Sequence, residues 1–195
     1  MDEAEFLAQG DIRAGKRLRE LRDEHFGTYM RSGTATRELI LQHMRTAVPP
    51  LHPLRSWQSD LYAILQLPVS DRQIHFVVDR EGNKGKTWFA KYYTWMRQLE
   101  DDVIILRPTK RENIAFMLVD AILERPIRTV FLDCSRDMID NINYGILEEM
   151  KDGNICSGKF VSRMVAVPPM HVVVLMNGPP DETKLSRDRY VIHRI

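Results

Sequence analysis

Apolar positions change their rhythm along the chain. Over residues 1–46 they recur at helical spacing among charges: Leu18, Leu21 and Phe26 within Arg13–Phe26, stopped by Gly27, then Leu39, Ile40 and Met44 within Thr34–Met44. A three-to-four-residue repeat predicts two short amphipathic helices. Val48–Leu54 carries Pro49, Pro50 and Pro53. Proline restricts itself and the residue before it, so neither helix nor strand continues, and a domain boundary is expected near residue 50. Ser56 is expected to cap a helix through Trp57, Leu61, Ile64 and Leu65, which Pro68 ends.

From Ile74 the pattern becomes short apolar runs alternating with helical repeats. The predicted strands are Ile74–Val78, Asp102–Leu106, Thr129–Leu132 ending at Asp133, His171–Met176 and Tyr190–Ile195. The predicted helices are Thr87–Leu99, Arg111–Leu123 and Asp140–Met150, the last capped by Asp140. Near-continuous apolar strands separated by helices predict an α/β fold with a central, mostly parallel five-stranded sheet covered on both faces. The expected organisation is therefore a small helical bundle over residues 1–50 and an α/β domain over 51–195.

Composition narrows this picture. The chain has 195 residues, of which 44% are hydrophobic and 28% charged, which suits one globular domain with a small accessory bundle. No apolar run approaches the about 18 residues of a membrane span, and Met1–Glu5 lacks a basic-then-apolar leader pattern. Cys134 and Cys156 are too few for a disulfide framework or a zinc site, and fit a protein of a reducing compartment. The formal net charge of +1 leaves any nucleic-acid contact to a local patch. The basic run Arg13, Lys16, Arg17, Arg19, Arg22 and Arg31 reads more simply as a solvated helix face.

Candidate chemistry gathers at the carboxyl ends of the predicted strands, where a parallel sheet presents ligand-binding groups. The first strand runs into Gly82-Asn83-Lys84-Gly85-Lys86-Thr87-Trp88 and then a helix, the layout of a phosphate-binding loop. Glycines let backbone N–H groups turn toward an anion, and the helix N-terminus adds partial positive charge. Lys86 is placed to reach the β- and γ-phosphates of a nucleotide and Thr87 to hold Mg²⁺. The usual first glycine of such a loop is replaced by Arg80, so Gly82 must make the turn. The third strand ends in Asp133, the acid expected beside the loop threonine at Mg²⁺. The fourth is followed at once by Asn177, an amide suited to orient water or sense the γ-phosphate.

In this order the motifs resemble those of superfamily 3 helicases, the AAA+-like ATPases of small viruses. The likeness is greatest to the helicase region of replication initiator (Rep) proteins from circular single-stranded DNA viruses, and covers roughly residues 50–195. Leu54-Arg55-Ser56-Trp57-Gln58 resembles the tryptophan-glutamine segment that leads into that region. Asp79–Thr87 resembles a glycine-asparagine form of Walker A, and Phe131-Leu132-Asp133-Cys134-Ser135-Arg136-Asp137 resembles Walker B. Tyr144–Gly153 with Ser157–Phe160 resembles the B-prime region, Val173–Asp181 resembles motif C, and Leu185–Tyr190 resembles the closing segment.

The resemblance implies an ATP- and Mg²⁺-dependent motor working as a hexameric ring on single-stranded DNA in rolling-circle replication, with 3′-to-5′ polarity and a nuclear location in the host. It implies catalytic roles for Lys86, Asp133, Asn177 and Arg189, the last as an arginine finger toward a neighbouring subunit, with Arg187 as competitor. It implies a channel hairpin in which Lys151, Lys159 and Arg163 meet phosphates and Phe160 meets a base. Residues 1–46 would be the bundle joining subunits. One departure stands out. Cys134 follows the Walker B acid where a second acid usually positions water, and Asp137, one turn further on, is the candidate substitute. No His-x-His nicking motif occurs, so a shortened chain or an isolated helicase portion is expected. Two other functions fit the same loop: a small-molecule kinase using Arg125, Arg128 or Arg136, and an assembly module stabilised by nucleotide with little hydrolysis.

Overall fold

A computed structural model describes residues 24, 25, 49–157 and 163–195. The helical expectation over residues 1–46 lies almost wholly outside these residues. Within them the chain forms α1 (Ser56–Gln66), β1 (Ile74–Val78), α2 (Lys86–Met96), β2 (Val103–Leu106), α3 (Arg111–Glu124), β3 (Thr129–Asp133), a 3₁₀ turn (Arg136–Asn141), α4 (Tyr144–Asp152), β4 (Asn154–Ser157), β5 (Arg163–Ala166), β6 (His171–Met176), a second 3₁₀ turn (Arg187–Arg189) and β7 (Tyr190–Arg194). No helix among these is long and apolar enough to cross a membrane.

β1, β2, β3, β6 and β7 form one wholly parallel sheet in the order β2-β3-β6-β1-β7. The α/β expectation is met. Both faces are covered, which is why these strands read as near-continuous apolar runs. Successive side chains of a strand point to opposite faces. Ile74, Phe76 and Val78 of β1 pack with Ile114 and Leu118 of α3 and Ile146, Leu147 and Met150 of α4. Val77, with Phe131 and Leu175, packs on the other face against Leu61 and Leu65 of α1 and Phe89 and Tyr93 of α2. β1 lies between β6 and β7, so the loop that leaves its carboxyl end emerges near the middle of the sheet, beside the ends of β6 and β3.

Two helix starts differ from expectation. Ser56 is the first helical residue; the cap position belongs to Arg55, whose backbone N–H donates to Gln58 Oε1 at 2.9 Å. The helix expected at Asp140 begins at Tyr144, because Ile142 is drawn into the core in extended conformation and Asn143 takes the cap, accepting from Ile146 N–H at 3.1 Å. The segment before it is a 3₁₀ turn.

β4 and β5 form a separate antiparallel hairpin, with Ile155 opposite Val165. One carboxylate fixes its root. Glu149 of α4 accepts from the Arg111 guanidinium of α3 at 2.6 Å and from the Cys156 N–H of β4 at 3.2 Å.

Histidines sit where the sheet is closed to water. His75 Nδ1 and His193 Nε2 are 3.1 Å apart, one ring donating and the other accepting, a pairing that needs the accepting ring neutral. Burial, then the neighbouring His193, His171 and Lys151, pushes the His75 pKa down from 6.5 to about 4. Burial also pushes His171 down to about 4, against an opposing hydrogen bond to the Leu67 carbonyl. Both are therefore neutral when folded, while in the unfolded chain they titrate near 6.5. Stability is fully present above that pH and falls as pH drops from about 6.5 toward about 4, by about 1.4 kcal/mol per pH unit for each extra proton the unfolded chain holds. Urea midpoints measured across this window should fall with acid, and His75→Asn should flatten the slope by about one proton.

Candidate phosphate-binding site

Asp79 follows β1 and is fully buried. Its N–H extends the ladder by donating to the Met176 carbonyl at 3.0 Å. The chain then turns through three residues of positive φ, Gly82 (90°), Asn83 (63°) and Gly85 (84°), before α2 starts at Lys86. The Asp79 carboxylate fills the concave side of this turn. It accepts from Gly82 N–H at 2.6 Å, from Lys84 N–H at 3.1 Å and from Lys86 Nζ at 3.0 Å. Burial alone would raise its pKa. Hydrogen bonds from Lys86, Gly82 and Lys84 outweigh that and hold it below the usual carboxylate value. The acid supplies the ordering that Arg80, in place of a first glycine, does not.

Two groups beyond the loop secure it. Gln58 is wholly buried, and its Nε2 donates to the Gly85 carbonyl at 3.4 Å. Asn177, just past β6, donates from Nδ2 to the Asp79 carbonyl at 3.0 Å. At the head of α2, Thr87 Oγ1 donates to Asp133 Oδ2 at 2.9 Å, joining the helix to the end of β3. Strand ends far apart in sequence thus meet in one cleft of about 520 Å³. Gly82, Asn83, Gly85, Lys86, Thr87 and Trp88 line one side; Arg107, Asp133, Cys134, Ser135, Arg136 and Asn177 line the other. Trp88 is held in place by stacking on His52, with ring centroids 3.8 Å apart, and by donating Nε1–H to the Pro50 carbonyl at 3.0 Å.

Other expected residues lie elsewhere. Asp137 is exposed and does not line the cleft; its carboxyl is held below the usual value by the Ser135 hydroxyl and its own N–H. Cys134 does line it, but burial pushes the thiol up to about 12, and its S–H points to the Leu132 carbonyl at 3.7 Å. A thiol so held stays protonated and cannot accept a proton from water.

Arg189, expected as a finger, lies against its own chain. It is 3% exposed and belongs to the end of α4, with Nη2 2.6 Å from Asp152 Oδ1 and Nε 3.4 Å from Glu148 Oε1. Its guanidinium is thus engaged by two carboxylates of α4 within its own chain. Arg187, two residues earlier, is exposed, and its side chain makes no hydrogen bond or ion pair among the described residues. Lys151 requires correction as a DNA contact. It is the buried end of α4, donates to the Met170 carbonyl at 2.8 Å, and burial pushes its pKa down to about 8. Lys159 and Phe160 lie outside the described residues, and for Arg163 the backbone alone is described, at the start of β5.

Sequence reasoning gave no role to Asp79 or Gln58. Asp79-x-x-Gly82 after an apolar strand is the signal that would have found the first, since a short carboxylate there can accept the glycine N–H three residues on. Gln58 gave no such signal, because its partner is 27 residues away.

The fold and the cleft define a phosphate-loop α/β domain. Comparison with known proteins adds its lineage. The chain is 31% identical over 142 residues to the protein called Para-Rep C9 of the Faba bean necrotic yellows C9 alphasatellite, covering 72% of this chain and 48% of that protein. It is 30% identical over 179 residues to the master replication protein of Faba bean necrotic yellows virus (isolate Syrian SV292-88), covering 91% of this chain and 59% of the relative. No protein-family profile matches the chain. The chain is thus homologous to Rep proteins of circular single-stranded DNA viruses and their alphasatellites. It spans about half the length of the curated relatives it matches.

Proposed function

We propose that the chain is an ATP-dependent motor acting on single-stranded DNA in rolling-circle replication of a small viral genome, working as a hexameric ring. The carrying observation is the contact of Thr87 with Asp133 at 2.9 Å, beside Lys86 and Asn177 in one cleft. A hydroxyl and a carboxylate so placed are hard oxygen donors, the set that Mg²⁺ takes together with phosphate oxygens and water.

In this reading Lys86 and the N–H groups at the head of α2 bind phosphates, while Thr87 and Asp133 would hold Mg²⁺, which would neutralise charge on the transferred group. Asn177 orients the attacking water. Phosphoryl transfer depends mainly on positioning and electrostatics, so a protonated Cys134 slows the reaction without preventing it. The test is phosphate release from ATP and Mg²⁺ with and without single-stranded DNA. Stimulation by DNA is expected; turnover indifferent to DNA would move the reading to a small-molecule kinase. The inert thiol favours one second reading, a nucleotide-stabilised assembly module. Sedimentation that responds to ATP while phosphate release stays at background would establish it.

Arg187→Ala and Arg189→Ala separate two roles. Arg187→Ala is expected to lower turnover on the order of a hundredfold or more without changing the melting temperature, and to be rescued by mixing with Lys86→Ala subunits. Arg189→Ala is expected to lower the melting temperature by several degrees, about 2 kcal/mol, and not to be rescued.

A further inference from the structure

The cations of the cleft are not equivalent. Lys86 is already committed to Asp79, Nζ to Oδ2 at 3.0 Å. Arg107 and Arg136 line the same cleft, and among the described residues neither pairs with a carboxylate. The one hydrogen bond Arg136 makes there runs from Nη2 to the Glu81 backbone carbonyl at 2.9 Å. An unpaired guanidinium facing a phosphate loop is the feature in search of a ligand.

Its position is built. The guanidinium packs over Gly82, and a Cβ added at Gly82 would fall 2.3 Å from Arg136 Nη2 and 3.7 Å from Asn177 Nδ2. A side chain at Gly82, besides straining its φ of 90°, would push the tip of Arg136 aside from its present place over the loop. The location also selects the phosphate. Groups bound at the head of α2, over Gly85–Thr87, are the inner phosphates of a nucleotide seated on a helix N-terminus. Arg136 lies at the other end of the loop, beside Gly82 and Asn177, where the terminal phosphate extends toward the strand ends.

We infer that Arg136 binds the terminal phosphate of the nucleotide from within the same chain. It is a phosphate-binding residue that separates triphosphate from diphosphate. This rests on the nucleotide reading above. The planar fork of arginine suits it: one edge stays on the Glu81 carbonyl while the other presents N–H donors to phosphate oxygens. Charge building on the transferred group is then met by a cation already in place, a job that arginines supplied within one chain perform in other phosphate-loop enzymes.

The experiment compares ATPγS and ADP binding, read by displacement of a fluorescent ADP analogue, in wild type, Arg136→Ala, Arg136→Gln and Arg136→Lys. Arg136→Ala is expected to weaken ATPγS by about tenfold or more while changing ADP by less than about threefold. Arg136→Lys should recover part of the ATPγS loss. Arg136→Gln keeps a donor for the Glu81 carbonyl without the charge. If it restores wild-type ATPγS affinity, the arginine merely braces the loop and the inference is overturned. Equal losses for both nucleotides in Arg136→Ala, or no loss, overturn it as well. Wild-type protein that binds neither nucleotide would instead overturn the nucleotide reading, and this inference with it.

Discussion

Lys86→Ala is expected to reduce nucleotide turnover by about a hundredfold to a thousandfold, because in the nucleotide reading it removes the loop lysine that meets the phosphates. A second effect is expected alongside it. Lys86 and Asp79 are both buried and 3.0 Å apart, so the substitution strands a carboxylate in the interior. Two loop N–H groups still hold that carboxylate, which limits the damage. A loss of about 2 kcal/mol is expected, toward the lower end for a broken buried pair. Phosphate release and urea unfolding on the same preparation check both effects. Turnover that survives would remove Lys86 from the phosphate site, whatever its effect on stability.

Asp79→Ala is expected to be the more destabilising change. It leaves the Lys86 ammonium buried without its one hydrogen-bond partner among the described residues, and frees the N–H groups of Gly82 and Lys84 in a tight turn. The expected cost is about 3–5 kcal/mol, or a melting temperature lower by about 10 °C or more in a chain of this size. Asp79→Asn should fall between wild type and alanine, since it keeps an acceptor and loses the charge. The double variant Asp79→Ala/Lys86→Ala should cost less than the sum of the two singles, because removing both partners leaves no buried charge. Additivity in that cycle would show that the pair is not coupled. The carboxylate also predicts a direction with pH. Its folded pKa is depressed, so its contribution is present above the ordinary carboxylate value of 3.8 and is lost as pH falls through the lower folded value.

What the sequence disclosed follows a physical divide. β1 and β6 agree with expectation to the residue, because a short run that is apolar but for one histidine admits one role in a two-faced sheet. The loop and its threonine were legible because glycine, lysine and threonine at that spacing carry their own chemistry. Lys151 and Arg189 misled for the opposite reason. A basic side chain looks the same in sequence whether it faces water or a carbonyl 19 residues away, and Arg189 takes its carboxylate from a residue 37 positions earlier. Asp140 misled because two residues able to cap stand three apart, and the burial of Ile142 decides between them. In each case tertiary packing chose among options that were locally alike.

The Glu149 carboxylate at the hairpin root has a mechanical consequence. It grips Arg111, the first residue of α3, and Arg107 of the cleft stands only four residues earlier in the chain. Pro108 lies between them, buried, with its φ fixed by the ring. Four peptide units, one with its φ fixed, therefore link the base of the hairpin to the rim of the phosphate cleft.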